Sequence, residues 1–153
     1  MRTVAFSDPE VVKLLNEKFV CAWMNRRPDL KFKDELYPKE WRPRGLPNGT
    51  AVTNVTSVFA APDGTVIHAM PGYLDVAGFK RHLEFALALQ EKLYDPAVQG
   101  EARAGIYAKA HREAATTSKD DNEREAHELL ATKWMRVAEL KVTLFDCLGN
   151  RFA

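Results

Sequence analysis

Val55-Thr56-Ser57-Val58-Phe59-Ala60-Ala61-Pro62-Asp63-Gly64-Thr65-Val66-Ile67-His68-Ala69-Met70 carries two short β-prone runs around one turn sequence. Val55 to Ala60 reads as the first strand and Thr65 to Met70 as the second. Between them Pro62 presets φ, the Asp63 carboxylate can bond its own backbone, and Gly64 supplies the left-handed position. The stretch is a β-hairpin. Gly72 then permits a sharp exit, and Asp75 can cap a helix containing Phe79, Leu83, Phe85, Ala86, Leu87, Leu89 and Leu93. Asp95-Pro96 stops that helix.

Upstream, Ser7-Asp8-Pro9-Glu10 opens another helix: Ser7 is the expected cap, Glu10 closes a capping box, and Pro9 fits the first turn. Phe6 and Val11 are spaced as a hydrophobic staple, and Val11, Leu14, Leu15 and Phe19 follow at helical spacing. Phe19 to Met24 is a continuous apolar run, expected to be a strand covered on both faces as in a parallel sheet. Asn25 to Asn54 is irregular, because Pro28, Pro38, Pro43 and Pro47 forbid any long helix. Downstream, Ala102 to Ala115 is alanine-rich, Thr116 to Asn122 is a polar link, and a second start follows at Asp120. Leu130, Trp134, Val137, Leu144 and Leu148 predict one long helix closed near Gly149, and so an αα-hairpin. The expected division is residues 1–95 as an α/β domain and 96–153 as a C-terminal helical hairpin.

Composition excludes several classes. Apolar residues make up 46% and charged residues 28%, the balance of a globular chain. The net charge of +1 gives no prior for nucleic acid or an anionic membrane surface, and no apolar run approaches a membrane span. No signal core precedes Asp8, so a cytoplasmic location is the expectation. Two distant cysteines, Cys21 and Cys147, build neither a disulfide framework nor a zinc-ligand spacing.

Three motifs add a resemblance. Phe6 to Val20 resembles the segment that follows the redox motif in thioredoxin-like proteins, and Arg27-Pro28-Asp29 resembles the turn after the next strand. Ser57 to Gly64, with Gly72 after it, resembles the family's hairpin and following glycine. The likeness covers roughly residues 4 to 94 and implies a thioredoxin-like fold, N-terminally abbreviated. On this alignment the family's first strand and its Trp-Cys-x-x-Cys stretch have no counterpart, and Val55 or Thr56 stands where the family has a cis-proline. Reading Phe19 to Met24 as the first strand instead leaves too few residues before the hairpin. A missing central strand would have to be replaced by direct closure, by residues near Met1, or by a strand from another chain, the last of which implies association.

Each candidate for chemistry has a plain structural reading beside it. Cys21 could be a single nucleophile, but nothing nearby lowers its pKa, and an inert buried thiol is expected. His111 and His127, with Glu113, Glu123, Glu125 and Glu128, could line a metal site between the last two helices. The Glu-x-x-His spacing is absent, and a solvated charged face is the expectation. Arg26, Arg27, Trp41, Arg42 and Arg44 in the long loop, with Thr56 at the cis-proline position, are the candidate binding residues. No nucleophile elbow or phosphate loop is present. The expected function is a redox-inactive, thioredoxin-like binding or assembly module with no cofactor, engaging a protein partner or its own copies. The alternative is an oxidoreductase relative that uses Cys21 or carries its redox cysteines upstream of Met1.

Overall fold

The hairpin forms where its sequence places it. In the computed structural model, which describes residues 5–23, 56–71, 74–132, 134 and 145–146, strands β2 (Thr56–Ala60) and β3 (Val66–Pro71) pair antiparallel, Val58 opposite Ala69 and Phe59 opposite His68. The turn uses the chemistry its residues offer. Gly64 sits at φ 82°, its N–H donates to the Ala61 carbonyl, and the Asp63 carboxylate accepts from the Thr65 N–H at 2.9 Å. A bulge between Phe59 and Ala60 lies just before the turn. Every residue from Val66 to Met70 is buried, so both faces of β3 are covered. Helices pack on it from the middle and the end of the chain.

Among the described residues four α-helices accompany the strands. The first, α1 (Pro9–Lys18), starts one residue later than the sequence suggests. Asp8, not Ser7, is the cap: its carboxylate accepts from the N–H groups of Glu10 and Val11 at 3.0 Å each, with Ser7 in a preceding 3-10 turn. A carboxylate at a helix N-terminus also meets the positive end of the macrodipole, which favours Asp over Ser here. Glu10 is engaged elsewhere, on Lys80, and the Phe6 ring lies edge-on to Phe79 at 5.2 Å. Asp8→Ala should therefore cost about 1 kcal/mol in urea denaturation and Ser7→Ala almost nothing. The reverse order would put the cap back on Ser7.

Helix α2 (Val76–Leu93) is capped by Asp75, which accepts from the Gly78 N–H at 2.6 Å. An added Cβ on Gly78 would sit 2.9 Å from that same carboxylate oxygen, so glycine lets the cap close. Phe79, His82, Leu83, Ala86, Leu89 and Leu93 form its buried stripe. The helices α3 (Glu101–Thr117) and α4 (Asp121–Leu130) make the expected αα-hairpin, with Asp120 capping α4 through the Glu123 N–H. The predicted long final helix is corrected: α4 ends at Leu130, and Phe145–Asp146 form a strand, β4. Val137, Leu144 and Leu148 lie outside the described residues.

The reading of Phe19 to Met24 is corrected too. Among the described residues of this run only Ala22–Trp23 (β1) is paired, antiparallel to β4, and Val20 is 86% exposed. The partner of this short strand thus comes from the C-terminal part of the same chain. Cys21, expected in the core, is exposed. The hydrophobic core joins Val11, Phe59, Ile67, Met70, Leu83 and Leu93 with Tyr107, Ala126 and Leu130. Residues on both sides of position 95 therefore share one core. Among the described residues no helix is long and apolar enough to cross a membrane.

Candidate metal centre

The chain has four histidines, and all four meet in the interior. Each lies on the buried face of a different element. His68 stands at the middle of β3, opposite Phe59, whose ring stacks on it at 5.7 Å. His82 sits on α2 one turn after Phe79 and one turn before Ala86. His111 follows Tyr107 by one turn along the Tyr107, His111, Ala115 stripe of α3. His127 lies one turn after Glu123 on α4. The helical period and the strand alternation thus aim four imidazoles at one point.

None of the four exposes more than 5% of its surface. His68 Nε2 lies 3.0 Å from His82 Nδ1, and His82 Nε2 lies 3.0 Å from Glu123 Oε1. His111 Nδ1 is 2.8 Å from His127 Nδ1, and His111 Nε2 is 3.1 Å from the Ile67 carbonyl. The His68 and His127 rings stack at 4.9 Å, and Phe85 sets its edge against both. Glu123 is itself held by the Ser118 hydroxyl at 2.8 Å and by Arg81 at 3.2 Å. His68 Nδ1 is buried with no hydrogen-bond partner.

These surroundings keep the imidazoles neutral. Burial and the neighbouring histidines hold His68 well below the ordinary imidazole range. Burial lowers His82 as well, although Glu123 opposes it. His111 falls to about 4 through burial and His127, and His127 falls to about 4 through burial and His82. Burial pushes the Glu123 carboxyl up, but Ser118, His82 and Arg81 together bring it below its usual value. The result is a neutral nitrogen cluster beside one ionised carboxylate.

Ligand nitrogens of His68, His82 and His127 all lie within 4.8 Å of one another. A tetrahedral ion with nitrogen ligands at ~2.0–2.1 Å would set them roughly 3.3 Å apart. The observed spread exceeds that spacing by at most about 1.5 Å. No family model matches the chain. Neither a curated protein nor a solved structure matches it either, so the reading of the site rests on its own geometry.

The sequence pointed to this place only in part. His111 and His127 are together, as a site between the last two helices requires, but they are buried rather than on a solvated face. The apolar partners Tyr107 and Leu130 turn those helix faces inward. Glu113, Glu125 and Glu128 are exposed, and only Glu123 faces the cluster. His68 and His82 were missed. Their signal was position: each histidine falls on the apolar stripe of its own element, which is visible only when all four are read together. Thr56 opens β2 opposite Pro71. Arg26, Arg27, Trp41, Arg42, Arg44 and Cys147 lie outside the described residues.

Proposed function

We propose that this protein is a metal-binding module in which His68, His82 and His127 hold one divalent transition-metal ion in the interior. The observation that carries this is the convergence of every histidine in the chain, from four separate elements, into one buried cluster. Imidazole donors suit Zn²⁺, Ni²⁺ or Cu²⁺. Because the rings are already neutral, the ion need not displace bound protons from imidazolium groups. Four imidazoles without an ion are a poor use of core volume. Their polar atoms are taken from water, which costs free energy that coordination of an ion would offset.

Three protein nitrogens leave one position of a tetrahedral ion for water or a small anion. Burial of the site keeps anything larger out, so the ion's first role is to tie β3 and α2 to α4. The chain contains no Cys-x-x-Cys, and nothing in this reading calls for dithiol chemistry. The thioredoxin-like resemblance stands within it as a proposal for the scaffold, and engagement of a protein partner as a proposal for the surface.

Titrating chelator-treated protein with Zn²⁺ should give uptake of about one ion per chain. At a free concentration of ~1,000 Kd it should add about 4 kcal/mol of stability. His82→Ala and His127→Ala should each abolish stoichiometric uptake. Failure of Zn²⁺, Ni²⁺ and Co²⁺ all to bind, with Tm unmoved, would overturn the proposal.

A further inference from the structure

We infer that Glu123 and His111, which are not ligands in this scheme, are positioning residues that select the nitrogen each metal ligand presents: Nδ1 of His82 and Nε2 of His127. The inference rests on the metal reading above and follows from where the hydrogen-bond chains end. The Ile67 carbonyl can only accept, so the His111 nitrogen 3.1 Å from it, Nε2, carries that ring's proton. The His111 ring is fully buried with only a carbonyl and another imidazole against its nitrogens, so it carries that one proton and its Nδ1 is a lone pair. The His127 nitrogen 2.8 Å away must then be the donor, Nδ1–H. That leaves the His127 lone pair on Nε2.

The second chain runs the same way. Glu123 is set against the Arg81 guanidinium and the Ser118 hydroxyl and accepts, so His82 Nε2 carries the proton and His82 Nδ1 is the lone pair. Glu123 is fixed for this task by Ser118 and Arg81. Each chain thus ends on an acceptor that cannot reverse, a backbone carbonyl in one case and an anchored carboxylate in the other. This is the carboxylate–histidine–metal arrangement, with its backbone-carbonyl counterpart extended by one imidazole.

His68 differs. Facing the His82 lone pair at 3.0 Å, its Nε2 holds the proton in the metal-free chain, and its Nδ1 has no partner. Only the His82 lone pair fixes its tautomer, and no acceptor of the kind that ends the other two chains stands behind it. When an ion takes the His82 lone pair, the His68 proton moves from Nε2 to Nδ1, and Nε2 becomes a ligand without change of charge. Two ligands are preset and the third adapts.

The test uses full-length protein labelled with ¹⁵N-histidine. Two-bond ¹H–¹⁵N correlation in the metal-free state should show His82 protonated on Nε2, His127 on Nδ1 and His111 on Nε2. With Co²⁺, Glu123→Ala should weaken binding about 10–100-fold, and Glu123→Gln, which keeps an acceptor oxygen, should weaken it less. His111→Phe, which keeps the ring but ends the relay, should weaken binding by a similar factor and leave His127 as a tautomer mixture. Unfolding of each metal-free variant, measured in parallel, separates a loss of fold from a loss of positioning. Opposite tautomers at His82 or His127 in the unmutated protein would overturn the inference, as would variants that bind Co²⁺ within about twofold of it. If the unmutated protein takes up no Co²⁺, the metal reading falls, while the metal-free tautomers still decide whether the two relays exist.

Discussion

Acidifying the metal-free protein from about pH 7 to about pH 4 should remove several kcal/mol of stability, the loss running steadily from about pH 6.5 downward. The sign follows from the histidines. All four have pKa values lowered in the folded state, His111 and His127 from 6.5 to about 4. Below 6.5 the unfolded chain takes up protons that the folded chain refuses, so stability is complete above that pH and drains away as pH falls toward 4. A gap of that size is worth roughly 3 kcal/mol per histidine. His111 and His127 face each other, so protonating one makes protonating the other harder in the folded protein, which deepens the loss. Glu123 has a lowered pKa, and its contribution is lost only at still lower pH, leaving the first fall to the imidazoles. Urea denaturation at a series of pH values checks this. Equal stability at about pH 4.5 and pH 7 would show that the cluster titrates as if in water.

How much of this was legible in the sequence depends on whether the cause was local. The hairpin was readable because Pro62, Asp63 and Gly64 set the turn through their own φ preferences and short-range hydrogen bonds. Helix α2 was readable because Asp75 and a stripe from Phe79 to Leu93 leave no other period. What failed depended on distant partners. Cys21 and Val20 looked like core residues from composition, but burial needs something on top, and the partner of β1 is a two-residue strand at the far end of the chain. The final helix was overextended because Trp134, Leu144 and Leu148 keep a helical spacing that nothing local interrupts. The histidine cluster was half visible. His111 and His127 share a helical hairpin, whereas His68 and His82 reach the same point only through the packing of β3 and α2 against it.

Leu83→Ala should destabilise the protein by about 2–5 kcal/mol while sparing the proposed metal site. Leu83 is fully buried on α2 and belongs to the cluster containing Ile67, Met70 and Phe79. Truncation removes the transfer free energy of the lost methyl groups and leaves a cavity that the surrounding helices and hairpin only partly close. At roughly 2–4 °C per kcal/mol for a chain of this size, Tm should fall by about 5–20 °C. Leu83→Met keeps the volume and should cost less than about 1.5 kcal/mol. The neighbouring His82 points about 100° away around the helix axis, so the cavity opens beside the ligand rather than behind it. Glu123 still holds the ring through Nε2. The Ala variant, studied where it remains folded, should therefore take up Zn²⁺ with unchanged stoichiometry. A loss below about 1 kcal/mol would remove Leu83 from the load the core carries. Loss of Zn²⁺ uptake by a folded Leu83→Ala protein would mean that packing against α2, rather than the Glu123 bond, sets the position of His82.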